Sequence, residues 1–174
     1  AKVKHSRQPN LVCTLPGTGG GEIVVGAHFD SDKSGTGALD NWSGAALLPT
    51  LYQSLAKQPH KHTFRFVGFA AEEKGLVGSQ AYVKALQPED LAGIRAMINL
   101  DSVGAGPLNV GISESDQRLA GILRGAARSM KSDIQLVNTD QVGTSDHQPF
   151  HAAKVPVMNI HSITTETLPL LHSR

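Results

Sequence analysis

The sequence predicts an α/β fold, a three-layer sandwich with a mostly parallel central sheet flanked by helices. Three observations carry the prediction. Short apolar runs such as Ile23-Val24-Val25 read as strands buried on both faces. Segments of helical length and spacing separate these runs, as parallel neighbours require. The chain has 174 residues and 40% apolar content, enough for one domain with a true core.

Asn10–Leu15 is a weak strand candidate, closed by the breaker Pro16-Gly17-Thr18-Gly19-Gly20-Gly21. Glu22–His28 is a buried strand, and Ser31–Gly37 is a Gly/Ser-rich loop. Asn41 to about Lys57 reads as a helix, with Ala45, Leu48, Leu51, Tyr52 and Leu55 at helical spacing. Pro59–His62 is a turn. Thr63–Ala70 alternates Phe64, Phe66 and Val67 with polar or small residues, as a strand does. Gly75–Leu86 reads as a helix, Ala96–Leu100 as a strand ending at Asp101, and Asp116–Met130 as a second long helix. Ile134–Val137 and Val155–Ile160 are short β candidates.

The composition narrows the function. Sixteen basic and fifteen acidic residues give a formal charge of +1, so the chain carries no footprint for nucleic acid or an anionic membrane surface. No apolar run reaches the length of a bilayer span, and no signal peptide is read at the start. Cys13 is the only cysteine, so no internal disulfide forms.

In parallel sheets, ligands bind beyond the carboxyl ends of the strands. His28-Phe29-Asp30 follows the strand that ends at His28, Glu72-Glu73 follows Thr63–Ala70, and Asp101 follows Ala96–Leu100. Asp40-Asn41 stands at the start of a helix, where Asp and Asn also serve as ordinary caps. Each motif alone is weak. Together they bring one imidazole and several carboxylates to one sheet edge, a nitrogen and oxygen donor set without thiolate that suits zinc.

With these motifs in place, the chain resembles the dinuclear zinc exopeptidases of the bacterial leucyl aminopeptidase type, whose relatives include glutamate carboxypeptidase and glutaminyl cyclase. The resemblance rests on His28-x-Asp30, Asp40-Asn41-x-Ser43-Gly44, Glu72-Glu73-x-Gly75-Leu76-x-Gly78-Ser79 and Leu100-Asp101, and runs from about Ile23 to the C-terminus. It implies a phosphorylase/hydrolase-like fold and two zinc ions. His28 and Asp101 would bind one zinc, Asp40 would bridge both, and Glu73 would bind the other with a second histidine. Glu72 would be the general base, Asp30 would orient His28, and the Asp40–Asn41 peptide would be strained or cis. For the last ligand the resemblance favours His172, with His161 and His147 as alternatives; His161 is otherwise read as lining the substrate pocket. His151 is read as a surface helix residue, and His60 and His62 as solvated. Phe29, Trp42, Ile160 and the loop 163–168 are expected to shape the side-chain pocket.

The implied activity is hydrolysis of N-terminal residues from peptides with a free N-terminus, by a secreted or periplasmic enzyme. A one-zinc glutaminyl cyclase and a metal-free non-catalytic relative remain as alternatives. A carboxypeptidase would need basic residues at the pocket, and Arg65, Arg95 and Arg118 are not placed there by the sequence. Residues 1–174 are expected to form one zinc-peptidase catalytic domain, with truncation at both ends left open because family domains are usually longer.

Overall fold

The computed structural model describes residues 2–3, 6–139 and 143–171. Its strands are β1 (Leu11–Leu15), β2 (Glu22–His28), β3 (Thr63–Phe69), β4 (Ile94–Leu100), β5 (Leu108–Gly111), β6 (Ile134–Val137) and β7 (Val157–His161). They form one sheet in the order β1-β3-β2-β4-β7-β5-β6. The middle four strands, β3-β2-β4-β7, are mutually parallel. β1 caps one side antiparallel to β3. β5 runs antiparallel to β7 and parallel to β6 on the other.

Alternation along the strands explains the layering. Successive side chains of a strand point to opposite faces, so the neighbours Val24 and Val25 enter two different cores. One core joins Val24, Val67, Phe69 and Met97 to Tyr82 of helix α2 (Val77–Ala85) and Phe150 of helix α5 (Gln148–Ala152). Phe69, Tyr82 and Phe150 pack ring against ring, with centroids 5.8–6.1 Å apart. The other core joins Val25, Phe66 and Ile160 to Leu48 of α1 (Ser43–Leu55) and Ala120 of α4 (Gln117–Ser129). No helix among the described residues is long and apolar enough to cross a membrane.

The departures from the sequence reading fall at element ends and in the shortest elements. The helix expected from Asn41 begins at Ser43, because Asp40 and Asn41 have non-helical backbone angles inside a tight turn over Ala38–Trp42. The Asp40–Asn41 peptide is cis. α2 starts at Val77 because Gly75 and Leu76 sit in left-handed conformation, with φ of 90° and 59°. Helix α3 (Pro88–Gly93) and strand β5 were not foreseen. Neither carries a clear signal of its own: α3 is six residues long with a Pro start and a Gly end, and β5 is four residues with Asn109 in its middle.

Candidate metal centre

The sheet order places the chemistry. β3, β2 and β4 are consecutive parallel neighbours, so their carboxyl ends lie side by side. His28 is the last residue of β2, Asp101 directly follows β4, and Glu72 and Glu73 follow β3. Asp40 comes to the same edge from the turn that precedes α1. His28 is 1% exposed, and its Nε2 stands 3.1 Å from Asp40 Oδ1, 3.6 Å from Asp101 Oδ1 and 3.9 Å from Glu72 Oε2. Two sets of donor atoms lie within 4.8 Å of one another, His28 with Glu72 and Asp101, and His28 with Asp40 and Glu73.

This convergence calls for a cation. His28 Nδ1 lies 3.1 Å from the main-chain carbonyl of Asp30, so the ring N–H is donated there and the Nε2 lone pair faces the carboxylates. An unshared pair among carboxylate oxygens is repulsive unless a proton or a metal ion lies between. In the metal-free cluster, burial opposes charging the ring, but the carboxylates of Asp101, Asp30 and Asp40, 3.1–3.7 Å from its nitrogens, outweigh it and push the His28 pKa far above its ordinary value. Burial, joined by the charges of Asp146, Asp101 and Glu73, pushes Glu72 up to about 8. Burial alone works against ionised Asp101, yet the nearby His28 ring and hydrogen bonds from Ser145 and Ser102 hold its pKa below the usual carboxylate range. The residues present therefore fit a divalent metal bound by nitrogen and oxygen.

The supports around the cluster are specific. Asp30 orients His28 through its backbone carbonyl, its carboxylate standing 3.7 Å from Nδ1. That carboxylate instead accepts the backbone N–H groups of Glu72 at 2.9 Å and Glu73 at 3.3 Å, fixing the strand end that carries both glutamates. Asn41, 1% exposed, donates to the carbonyl of Leu100 and accepts the N–H groups of Gly44 and Ser102. It thereby ties the Asp40 turn to the segment carrying Asp101. Sequence reading treated Asn41 as a cap and passed over this bridge, which joins residues about sixty positions apart.

The segment Ser145-Asp146-His147 also reaches the site. Ser145 Oγ donates to Asp101 Oδ2 at 2.5 Å. Asp146 is fully buried, and burial raises its pKa to about 7 against the opposing effect of the Ser79 hydroxyl. The sequence drew attention to this stretch for its histidine, and the adjacent acid went unnoticed. His147 is turned away from the cluster, with Nε2 2.7 Å from Glu114 Oε2. His161 closes β7 beside Asp101, and burial lowers its pKa. Neither histidine belongs to the donor sets found among the described residues. His172 lies outside the described residues.

A cavity of about 330 Å³ opens on the cluster. His28, Asp40, Glu72, Glu73 and Asp101 line one part of it, and Ser102, Thr144, Asn159, His161 and Ile163 another. Phe29 and Trp42 do not line it; they border a separate apolar hollow with Tyr52 and Phe66. Ile160 is buried in the core.

Comparison with known proteins agrees with this geometry. The sequence pattern of peptidase family M28 matches residues 10–173. Leupeptin-inactivating enzyme 1 of Streptomyces exfoliatus is 32% identical over 159 residues, covering 88% of this chain and 35% of that protein. Aminopeptidase YwaD of Bacillus subtilis is 34% identical over 143 residues, covering 79% of this chain and 31% of that protein. The solved structure of BSAP, a zinc aminopeptidase from Bacillus subtilis, superposes with a TM-score of 0.85 at 30% identity, covering 94% of this chain and 43% of that one. The chain thus spans about a third of the length of these curated relatives.

Proposed function

The chain belongs to peptidase family M28, and on that premise we propose that it is the catalytic part of a zinc-dependent aminopeptidase holding two zinc ions. The observation that carries the reading is the buried His28 Nε2 ringed by oxygens of Asp40, Asp101 and Glu72. His28 and Asp101 would hold one ion, Glu73 the other, and Asp40 would bridge them, in keeping with the family resemblance. The two overlapping donor sets support a pair of ions in place of one. Zinc at these donors supplies a Lewis acid and a water that ionises near neutral pH.

The chain's own residues do the rest. Glu72 takes the proton of the attacking water and passes it to the leaving amine. Its carboxylate stands 3.9 Å from His28 Nε2, at the edge of the cluster where such a water would sit, and a carboxylate so placed suits both transfers. Asp30 holds the glutamate pair in register with the scissile carbonyl, and Asn41 holds Asp40 against Asp101. The small cavity beside the cluster fits one N-terminal residue, with the rest of the peptide leaving through its mouth.

The test combines zinc analysis with turnover of aminoacyl anilides, with and without a blocked amine, in the wild type and Glu72→Gln. The reading expects about two zinc ions per chain. It expects activity only on free-amine substrates, and a fall of about 10²–10⁴-fold in kcat for Glu72→Gln with zinc retained. One zinc ion with cyclisation of N-terminal glutamine would move the assignment to a glutaminyl cyclase. A zinc-free, inactive wild type would sink it.

A further inference from the structure

Asn99 stands on β4 two residues before Asp101, in the middle of the sheet between β2 and β7. It is 0% exposed, so its amide must find partners inside the protein. Nδ2 donates to Ser145 Oγ at 2.9 Å and to Asn159 Oδ1 at 3.0 Å. Among the described residues, Oδ1 has no hydrogen-bond partner. A buried carbonyl left unpaired is costly, and an apolar side chain of the same size would avoid that cost. What this amide contributes therefore lies in its two N–H groups.

The direction of these bonds is set from the metal end. A carboxylate that binds a cation only accepts hydrogen bonds. Ser145 Oγ, 2.5 Å from Asp101 Oδ2, therefore spends its one proton there. The same oxygen is then left to accept, and Asn99 must turn its N–H groups, not its carbonyl, towards it. Asn159 answers the second N–H with its own carbonyl. A run of three polar side chains, from β7, β4 and the segment before α5, is thus locked in one polarity that ends on Asp101. In a buried run of this kind each bond strengthens the next.

We propose that Asn99 is a positioning residue of the metal centre: its N–H fixes the Ser145 hydroxyl as a donor to Asp101 Oδ2, and so sets the affinity for zinc. With Oδ2 engaged in this way, Asp101 keeps Oδ1 towards His28 Nε2, 3.6 Å away. Without the amide donor, nothing opposes rotation of the Ser145 hydroxyl away from Asp101, and the carboxylate loses its fixed orientation. The proposal rests on the zinc reading of the site and deepens it. Asn99 touches neither metal nor substrate and acts only through Ser145.

The test is a double-mutant cycle read by zinc affinity, from competition with a chelator, in the wild type, Asn99→Leu, Ser145→Ala and the double variant. Melting of each chelated protein is recorded alongside. Leucine matches the shape of asparagine and removes both donors without adding charge. Asn99→Leu should weaken zinc binding about 10-fold or more. In the Ser145→Ala background the same change should weaken it by less than about twofold, because no hydroxyl is left to aim. Unchanged zinc affinity in Asn99→Leu overturns the proposal. So does a weakening of equal size in both backgrounds, which would make Asn99 a support of the sheet alone. If Asn99→Leu does not fold, Asn99→Ala also removes the donors and passes through the same cycle with the same deciding outcomes. A wild type that binds no zinc fails the metal reading itself, and the proposal falls with it. A wild type that binds zinc with an affinity indifferent to Asn99 fails the proposal alone.

Discussion

Asp30 serves the site in two ways, its carbonyl receiving the His28 N–H and its carboxylate receiving the Glu72 and Glu73 amides. Asp30→Asn leaves the carbonyl in place and removes the charged acceptor. We expect it to lower activity or zinc affinity about 10–100-fold while the fold persists, as measured by zinc titration and kcat. Titration at the residue scale gives a second expectation. In the metal-free protein, Glu72 is raised from 4.5 to about 8 and Asp146 from 3.8 to about 7, burial being the main cause of both. Through these two groups the folded state binds more protons than the unfolded state, so their part of the metal-free stability falls as pH rises to about 8; His147 and His161, lowered by burial, oppose it only below their ordinary 6.5. His28, also raised, pulls the same way above its ordinary 6.5. Melting temperatures of the chelated protein from pH 6.5 to 8 check this, and a rise across that range would contradict it. The residue types and order of His28, Asp30, Asp40, Glu72, Glu73 and Asp101 were legible in the sequence because each acid or imidazole follows a recognisable strand or opens a helix. Asp146 was not, because nothing in Ser145-Asp146-His147 tells that its carboxylate is buried beside Glu72.

At the scale of elements, the start of α1 is held to the end of β4 by one side chain and one close approach. Asn41 satisfies the Leu100 carbonyl and the N–H groups of Gly44 and Ser102. Asn41→Ala orphans these buried groups, so a loss of at least about 2 kcal/mol is expected in denaturant unfolding, together with weakened zinc binding. Gly44 is needed at the same place, since a Cβ there would stand 2.4 Å from the Leu100 carbonyl oxygen. The long elements were readable because α1, α4 and β2 carry enough residues to show a period or an apolar run. The start of α1 was misread by two residues, since Asp and Asn look alike whether they cap a helix or form the turn that precedes it.

Over the whole molecule, metal and fold should be linked. A cluster that gathers carboxylates from β3, β4 and the Asp40 turn around one imidazole stabilises the sheet edge only with a cation in place. Chelation is expected to lower the melting temperature at pH 7 by about 5–10 °C, which corresponds to about 2.7 kcal/mol at a hundredfold excess of zinc over its Kd. Re-addition of zinc should restore it, and an unchanged melting curve would show that the cluster binds no metal of consequence. By itself, the sequence determined the layered α/β architecture, the strand ends that bear the acids, and a donor set suited to zinc. Those properties are local, written in apolar runs and in the residue that follows each run. Only the tertiary structure decided which donors share a centre, that His147 pairs with Glu114, and that Phe29 and Trp42 face a different hollow from the site. It also set the hydrogen bonds that join Asn159, Asn99 and Ser145 to Asp101. These depend on strand order and side-chain direction, and the order β3-β2-β4-β7 brings together residues far apart in the chain whose meeting no local pattern encodes.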